Sequence, residues 1–319
     1  MNVETEIRKR ARELLKNNEI SAFIGFAEGT LPGVVIPFVA TEPQHTQKLI
    51  WNRLCRMNLA GYLNRFKDSK TAIAAKGCDS RSIGILVAEK QLERAEIKIL
   101  GIPCEGMISR KKLEDRFGPL SELNKLVLID SNIIIIKSDN QKETVSQDEF
   151  LHSACERCMH HNPIHYDELL GEPVEEKNTF ETHFIKTKEL EKMSRTNRWK
   201  IMNEMLLKCI RCYACRQACP TCYCEECFVD SRFPHWVDKG QHPTDIMFWH
   251  VGRLYHQAGR CVECGNCSEV CPVGIDFDAI LEYQAKKVFE RYNYDAGIAV
   301  DEVPPLQNYK TDDPQEFIL

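Results

Sequence analysis

Cysteine is the residue type in this chain best suited to chemistry, and its sixteen copies are clumped. Eleven fall between Cys209 and Cys271. Two runs there share one pattern. The first is Cys209-x-x-Cys212-x-x-Cys215-x-x-x-Cys219-Pro220, and the second is Cys261-x-x-Cys264-x-x-Cys267-x-x-x-Cys271-Pro272. This spacing holds pairs of 4Fe–4S clusters: three thiolates wrap one cube and the fourth reaches its neighbour. Crossed ligation is expected. Cluster one takes Cys209, Cys212, Cys215 and Cys271, and cluster two takes Cys261, Cys264, Cys267 and Cys219. Gly265 lies inside the second loop, where backbone must come close to the cluster. Zinc sites usually combine two separated CxxC pairs, which these runs do not. Four thiolates per cluster leave no open iron, so the chemistry is one-electron relay. Arg211, Arg216 and Arg260 border the runs, either stabilising anionic clusters or lying as solvated surface charges.

Eight cysteines remain. Cys222, Cys224 and Cys227 directly follow the first run. They line the first cluster without binding it, or help hold a further metal. The lack of an evident fourth ligand favours the former. The other five are Cys55, Cys78, Cys104, Cys155 and Cys158. Cys78 and Cys104 follow two expected strands, and in an open α/β sheet such loops gather at the carboxyl edge, where ligands bind. Cys155-Glu156-Arg157-Cys158 is a CxxC unit, common in metal and redox sites. The reading is a third 4Fe–4S cluster on Cys78, Cys104, Cys155 and Cys158, with Cys55 in reserve. The alternative is scattered buried thiols, which are ordinary core residues. His160, His161 and His165 read as surface or structural histidines.

These thiols need a frame. Residues 3–17 read as an amphipathic helix, with Ile7, Ala11, Leu14 and Leu15 at helical spacing. Apolar runs at 22–26 and 34–39 flank a turn stretch from Glu28 to Gly33. Residues 46–66 read as one or two helices around Cys55. Strand, loop and helix then appear twice: 72–75, 76–79 and 80–92, then 97–100, 101–106 and a short helix near Arg110. Strands at 126–129 and 133–137 follow. This alternation predicts an α/β domain with a mainly parallel sheet over residues 1–160. The polar stretch 161–193 reads as a linker. Residues 194–292 read as a dicluster ferredoxin-like domain flanked by helices at 194–208, 240–257 and 277–291. The acidic tail, 293–319, reads as an extended arm on a partner or a disordered end.

Composition narrows the function. Hydrophobic residues make up 43% and charged residues 28%, as in ordinary globular chains. A formal charge of −5 and a pI near 6.1 argue against a nucleic-acid partner. No apolar run is long enough for a membrane span, and the first residues carry no signal-like apolar region. The expected location is the cytoplasm, where clustered thiols serve as metal or redox groups rather than disulfides.

Five segments together resemble one family: Gly25 to Pro32, Cys55 to Leu63 (CRMNLAGYL), Lys76 to Arg81 (KGCDSR), Gly101 to Met107 (GIPCEGM), and Cys155 to Pro163. It is the family of beta subunits of deazaflavin-coenzyme-reducing hydrogenases and formate dehydrogenases. The resemblance spans about residues 20–275, and the KGCDSR and GIPCEGM pair carries most of its specificity. Related subunits occur beside heterodisulfide-reductase-like proteins and resemble electron-input modules. Family members bind FAD and pass electrons between a hydride carrier and iron–sulfur clusters. The resemblance implies FAD at Lys76, Gly77, Asp79, Ser80 and Arg81, with Gly25, Glu28 and Gly29 as a second wall. A helix N-terminus there offers amides to a pyrophosphate, and Lys76 and Arg81 add positive charge. In deazaflavin-reducing members the ferredoxin unit precedes the flavin domain. Here it follows, and no GxGxxG fingerprint is present.

The reading is an iron–sulfur electron-transfer subunit of an anaerobic oxidoreductase complex. It joins a hydride-carrier, formate or hydrogen module to a heterodisulfide-reductase-like partner. The alternative is an FAD-containing subunit that itself oxidises or reduces a nicotinamide or deazaflavin carrier. A zinc-dependent scaffold is the third reading. No Ser/His/Asp or paired-carboxylate set stands out as catalytic.

Overall fold

The computed structural model describes residues 2–309 and 311. Helix α1 (Val3–Lys16) starts where the Asn2 side chain accepts the Glu4 N–H at 3.0 Å, and it buries Ile7, Ala11, Leu14 and Leu15 along one face. Asn18, in the left-handed region at φ 55°, turns the chain into the sheet. Strands β1 (Ala22–Glu28) and β2 (Val35–Ala40) form an antiparallel hairpin. Strand β3 (Thr71–Ala75) pairs parallel with β1, and β4 (Ile97–Gly101) pairs parallel with β3. Helix α2 (Gly77–Ala88) makes the crossover between β3 and β4. Every residue of β3 is buried, as expected of a strand covered on both faces. Small side chains there let the flanking segments approach. The α/β reading therefore holds, with an antiparallel edge strand added.

A second, separate sheet follows helix α3 (Arg110–Phe117). Strands β5 (Leu123–Ile129), β6 (Asn132–Lys137) and β7 (Lys142–Ser146) form an antiparallel meander over Leu113, Ile133, Ile135 and Phe150. The two strands expected here thus leave the main sheet and gain a third partner. Residues 46–66 are not helical as expected. They form 3-10 turns at Pro43–Lys48 and Ala60–Arg65, with irregular chain around Cys55 between them.

Helix α4 (Ser153–Glu156) is a single turn. The expected linker, 161–193, is instead built into the fold. Its strand β8 (Glu168–Leu169) extends the main sheet beside β4, giving the order β2-β1-β3-β4-β8. Helices α5 (Phe180–His183) and α6 (Ile185–Lys192) follow, and α6 packs on α11 (Asp278–Tyr292).

The C-terminal half holds α7 (Arg195–Leu206), the short α8 (Ala214–Gln217), α9 (Pro243–Gln257) and the short α10 (Asn266–Glu269). Leu206, Trp249, Phe277 and Leu281 form its core together with Cys215, Cys267 and Cys271. The two halves also share a core, in which Ile85 of α2 packs with Val262, Val288, Tyr294 and Ala296. The tail lies on its own chain as far as it is described. Arg81 Nε donates to the Ala296 carbonyl at 2.8 Å, and Gln307 bonds Glu89. The rest of the tail expectation, for 310 and 312–319, lies outside the described residues. No described helix is long and apolar enough to cross a membrane.

The strand β8 is too short to hold its place by ladder bonds alone. Glu168 supplies the tie, with Arg10 Nε at 2.7 Å and Lys98 Nζ at 3.0 Å. The hydrogen bond from Arg10 pulls the Glu168 pKa from 4.5 down to about 2. A depressed carboxylate adds stability above its unfolded pKa and loses it as pH falls towards the folded value. Glu168→Gln is therefore expected to lower the melting temperature at pH 7. The gap from the wild type should narrow steadily below about pH 4.5, as followed by circular dichroism.

Candidate metal centres

The cysteine repeat is repeated in the backbone. Arg211 and Tyr213 of the first run have φ of 53° and 59°. Their counterparts, Glu263 and Gly265, have 57° and 70°. These left-handed residues curl each run into a tight loop before the one-turn helices α8 and α10, which pack on each other. The curl aims amides at sulfur: Arg211 N–H donates to Cys209 Sγ at 3.3 Å and Glu263 N–H to Cys261 Sγ at 3.4 Å. Ile275 N–H does the same for Cys271 at 3.4 Å.

The thiols of the two runs act on one another across the runs. Burial raises the pKa of Cys209, and the charges of Cys212 and Cys271 add to it. Cys215 is raised by burial and then by Cys209, Cys271 and Cys212, against Arg253. Cys267 is pushed up to about 12, by burial first and by Cys219 and Cys264 further, again against Arg253. Cys261 is raised well above its ordinary value by burial, with Glu263, Cys267, Cys264 and Cys219 adding. Among the described residues, no group of three or more His, Cys, Asp or Glu side chains is placed to hold a single metal ion.

A third group forms at the carboxyl edge of β3 and β4. Cys78, Cys104, Cys155 and Cys158 line one cavity together with Cys264. Burial pushes Cys104 up to about 12, and Cys155 adds to the rise. Cys158 likewise reaches about 12, by burial and then Cys155. Here too amides point at sulfur from two residues on: Gly106 N–H to Cys104 and His160 N–H to Cys158, both at 3.4 Å. This is the same local bond that Cys209 and Cys261 receive. His160, His161 and His165 brace the wall through Asp295, the Cys104 carbonyl and the Gly297 carbonyl. Cys55 does not reach the cavity. It is buried in the core, taking the Asn52 N–H at 3.3 Å, and is not placed as a reserve ligand.

Two buried arginines stand between the groups, and sequence reasoning missed both. Arg56 lines the third cavity and donates to the Cys264 carbonyl at 2.9 Å and to Asn266 at 3.1 Å. Burial opposes its charge, and Cys155, Glu269, Cys264 and Cys78 more than offset that. Arg253 donates to the Cys215 carbonyl at 3.3 Å, and Cys267, Cys219, Cys222 and Cys215 hold its charge against burial. The Nε of each is buried without a partner. Neither arginine belongs to a spacing pattern, although Arg56 directly follows Cys55. The arginines singled out from sequence are used elsewhere. Arg211 binds the Gly240 carbonyl at 2.7 Å, Arg216 pairs with Asp230 at 2.6 Å, and Arg260 pairs with Glu89 at 2.5 Å.

The expected flavin loop is not open to a pyrophosphate. Gly77, Cys78 and Asp79 form the first turn of α2, and residues 160–164 lie across it. A Cβ on Gly77 would collide with the His160 carbonyl. Ser80 Oγ accepts the Ile164 N–H at 3.0 Å and donates to the Gly77 carbonyl at 2.9 Å. Asp79 accepts the Lys76 N–H and pairs with Lys76 Nζ, both at 2.9 Å, and Lys76 is fully buried against Phe26 and Trp51. Breaking a buried pair costs about 3–5 kcal/mol. A charged hydrogen bond to phosphate returns about 1.5–3 kcal/mol. Lys76 therefore stays with Asp79. Arg81 is committed to Asp295 and the Ala296 and Val262 carbonyls. The second wall is not there either: Gly25 packs on Leu49 inside β1, Glu28 is exposed, and Gly29 bonds Val34 in the hairpin turn. A roomy cleft of about 860 Å³ lies elsewhere, lined by Met57, Arg110, Lys111, Cys271 and Asp276 among others.

The family described as a 4Fe-4S dicluster domain matches residues 204–275. The F420-dependent formate dehydrogenase subunit beta of Methanocaldococcus jannaschii is 26% identical over 76% of this chain and 77% of its own length. The F420-dependent formate dehydrogenase 1 subunit beta of Methanococcus maripaludis is 25% identical over 92% of this chain and 90% of its own. Among solved structures, a chain from the F420-reducing NiFe hydrogenase complex of Methanosarcina barkeri aligns at a TM-score of 0.36 and 17% identity. That alignment covers 49% of this chain and 63% of the other. The chain thus matches a 4Fe-4S dicluster domain in its C-terminal half and is similar over most of its length to these formate dehydrogenase beta subunits.

Proposed function

We propose that this chain is the electron relay of a formate dehydrogenase- or hydrogenase-like complex, conducting through three 4Fe–4S clusters. One observation carries the reading: Cys78, Cys104, Cys155 and Cys158 line one cavity together with Cys264 of the second cysteine run. Cys264 of the second group lies within charge range of Cys78 of the third, and the charge of Arg253 is held by thiols of the first and second. Held by four thiolates each, 4Fe–4S clusters supply one-electron transfer with no iron open to substrate. The protein's own work is to hold the thiolates apart at fixed spacing, aim amides at them, and keep water out. Cys212 of the first group is exposed, whereas every cysteine of the second and third groups is buried or half-buried, so the first group is where a partner reaches the relay. On this reading a hydride-, formate- or hydrogen-oxidising module and a heterodisulfide-reductase-like subunit are its partners.

Iron and sulfide analysis of anaerobically purified protein tests the count. About twelve irons per chain are expected, and Cys155→Ala should bring the number to about eight. A wild-type value near eight would remove the third cluster.

The buried cations set the potentials. Reduction adds negative charge, which a nearby cation favours. A unit charge at ~6 Å with an effective dielectric of ~20 shifts the midpoint by roughly 100 mV. Arg56→Gln should lower the potentials of the clusters beside it by that order while keeping the iron content. Electron paramagnetic resonance during a redox titration reads the shift.

The cleft beside Cys271 favours a second reading, in which the chain also carries FAD. Its volume lies within the range of cofactor pockets, and Arg110 and Lys111 offer positive charge to a diphosphate. Acid denaturation of holoprotein should then release one flavin per chain, visible in the supernatant spectrum. Iron-loaded protein that releases none rejects this reading and leaves the relay intact.

A further inference from the structure

The four expected ligands of the second cluster, Cys219, Cys261, Cys264 and Cys267, line one cavity. Arg253 lines it too, and it is the one cationic side chain that does. Helix α9 places Arg253 on its buried face, one turn from Trp249 and one turn from Gln257, and leaves it 4% exposed. An apolar residue would fill that position without electrostatic cost. Other buried arginines of the fold answer to a carboxylate, Arg81 to Asp295 and Arg157 to Glu282. Among the described residues no carboxylate pairs with Arg253. Its side chain donates to the Cys215 carbonyl at 3.3 Å, its guanidinium lies 5.8 Å from the centre of the Phe277 ring, and its Nε is buried without a partner. A buried cation without a counter-charge is strongly unfavourable. The only groups lining this cavity that can bring negative charge are the four cysteines. A 4Fe–4S cube held by four thiolates is an anion, and its sulfurs accept hydrogen bonds.

We propose that Arg253 is the counter-ion of the second cluster and donates its free Nε–H to a sulfur of that cluster, an inference that rests on the cluster reading above. Reduction adds negative charge to the cluster, so the bond strengthens in the reduced state and favours it. This is a contact with one cluster, which needs a guanidinium N–H at this place, and not only a positive charge somewhere near the relay. Arg56 serves the neighbouring cavity instead. It lines the space of the third group and not this one, and it donates to Asn266 and the Cys264 carbonyl. Arg253 is thus a positioning residue of the redox chemistry and holds no iron itself.

The test uses full-length holoprotein, purified anaerobically, with arginine carrying the heavy nitrogen isotope in its guanidinium group. Pulsed electron paramagnetic resonance reads the coupling of that nitrogen to each reduced cluster, and a redox titration gives the potentials. The signal of the second cluster is the one that Cys261→Ala alters. Wild type is expected to show arginine-nitrogen coupling at the second cluster. Arg56→Gln should keep it, and Arg253→Gln should lose it at unchanged iron content. At a fixed potential, the ratio of reduced to oxidised second cluster should fall at least about tenfold in Arg253→Gln, as the loss of a charged hydrogen bond implies. Arg253→Lys, which keeps the charge without Nε, should restore only part of that ratio. No coupling in wild type, coupling that survives Arg253→Gln, an unchanged ratio there, or full restoration by lysine overturns the proposal. If Arg253→Gln fails to fold or to hold its iron, wild type and Arg56→Gln decide: coupling absent from the first or lost from the second overturns it. A wild type without a second 4Fe–4S cluster would instead reject the underlying cluster reading.

Discussion

A sulfur that binds iron must give up its proton, and most of these cysteines sit where water does not help. Burial pushes Cys104, Cys158 and Cys267 up to about 12 and Cys264 to about 11. Holding that much negative charge in a low dielectric needs fixed positive ends close by. Backbone amides supply part of it, four of them aimed at a sulfur two residues back. Arg56 and Arg253 supply the rest, and Lys76 acts on Cys78 and Cys104 from behind Asp79. Each arginine is itself buried, so thiolate and cation require one another. The fold is arranged to bring them together.

That mutual requirement explains why the halves interlock. Arg56 comes from the N-terminal half and binds carbonyl and amide groups of the second cysteine run. Arg81, from α2, reaches Val262 and Ala296. Arg157, beside the third group, pairs with Glu282 of α11, and His183 pairs with Glu263 of the second cysteine run. These are buried charged contacts, each costly to leave half-made. The halves therefore form one body around the metal sites. This also accounts for the stretch 161–193, which reads as a linker by composition yet contributes a strand and two helices to that body.

The two cysteine runs were legible because their geometry is local: ligand spacing and loop shape lie within a few residues. The third group was legible from a rule of topology, since loops after adjacent parallel strands meet at one sheet edge. What depended on contacts far along the chain was not. Cys55 looked eligible beside CRMN, but the irregular turns around it direct its sulfur into the core. The Gly77 turn resembled a phosphate cradle, and only residues 160–164, more than eighty positions on, show it to be covered. Arg56 and Arg253 carry no periodicity, because a single buried cation needs a place rather than a pattern. The strand β8 is two residues long, and its tie to Arg10 spans 158 positions, beyond any window of pattern reading.

Tyr213 and Gly265 occupy the same position of the cysteine repeat and meet different surroundings. Tyr213 packs its ring edge-on to Trp249 at 5.1 Å. At Gly265 a Cβ would come within 2.5 Å of His152 and 2.9 Å of Ala154. The second loop has no room for a side chain because the N-terminal half presses against it. The duplicated motif is thereby stripped of its twofold symmetry. One loop is sealed against the protein's own interior and the other faces outward, so a unit with two equivalent ends acquires a polarity.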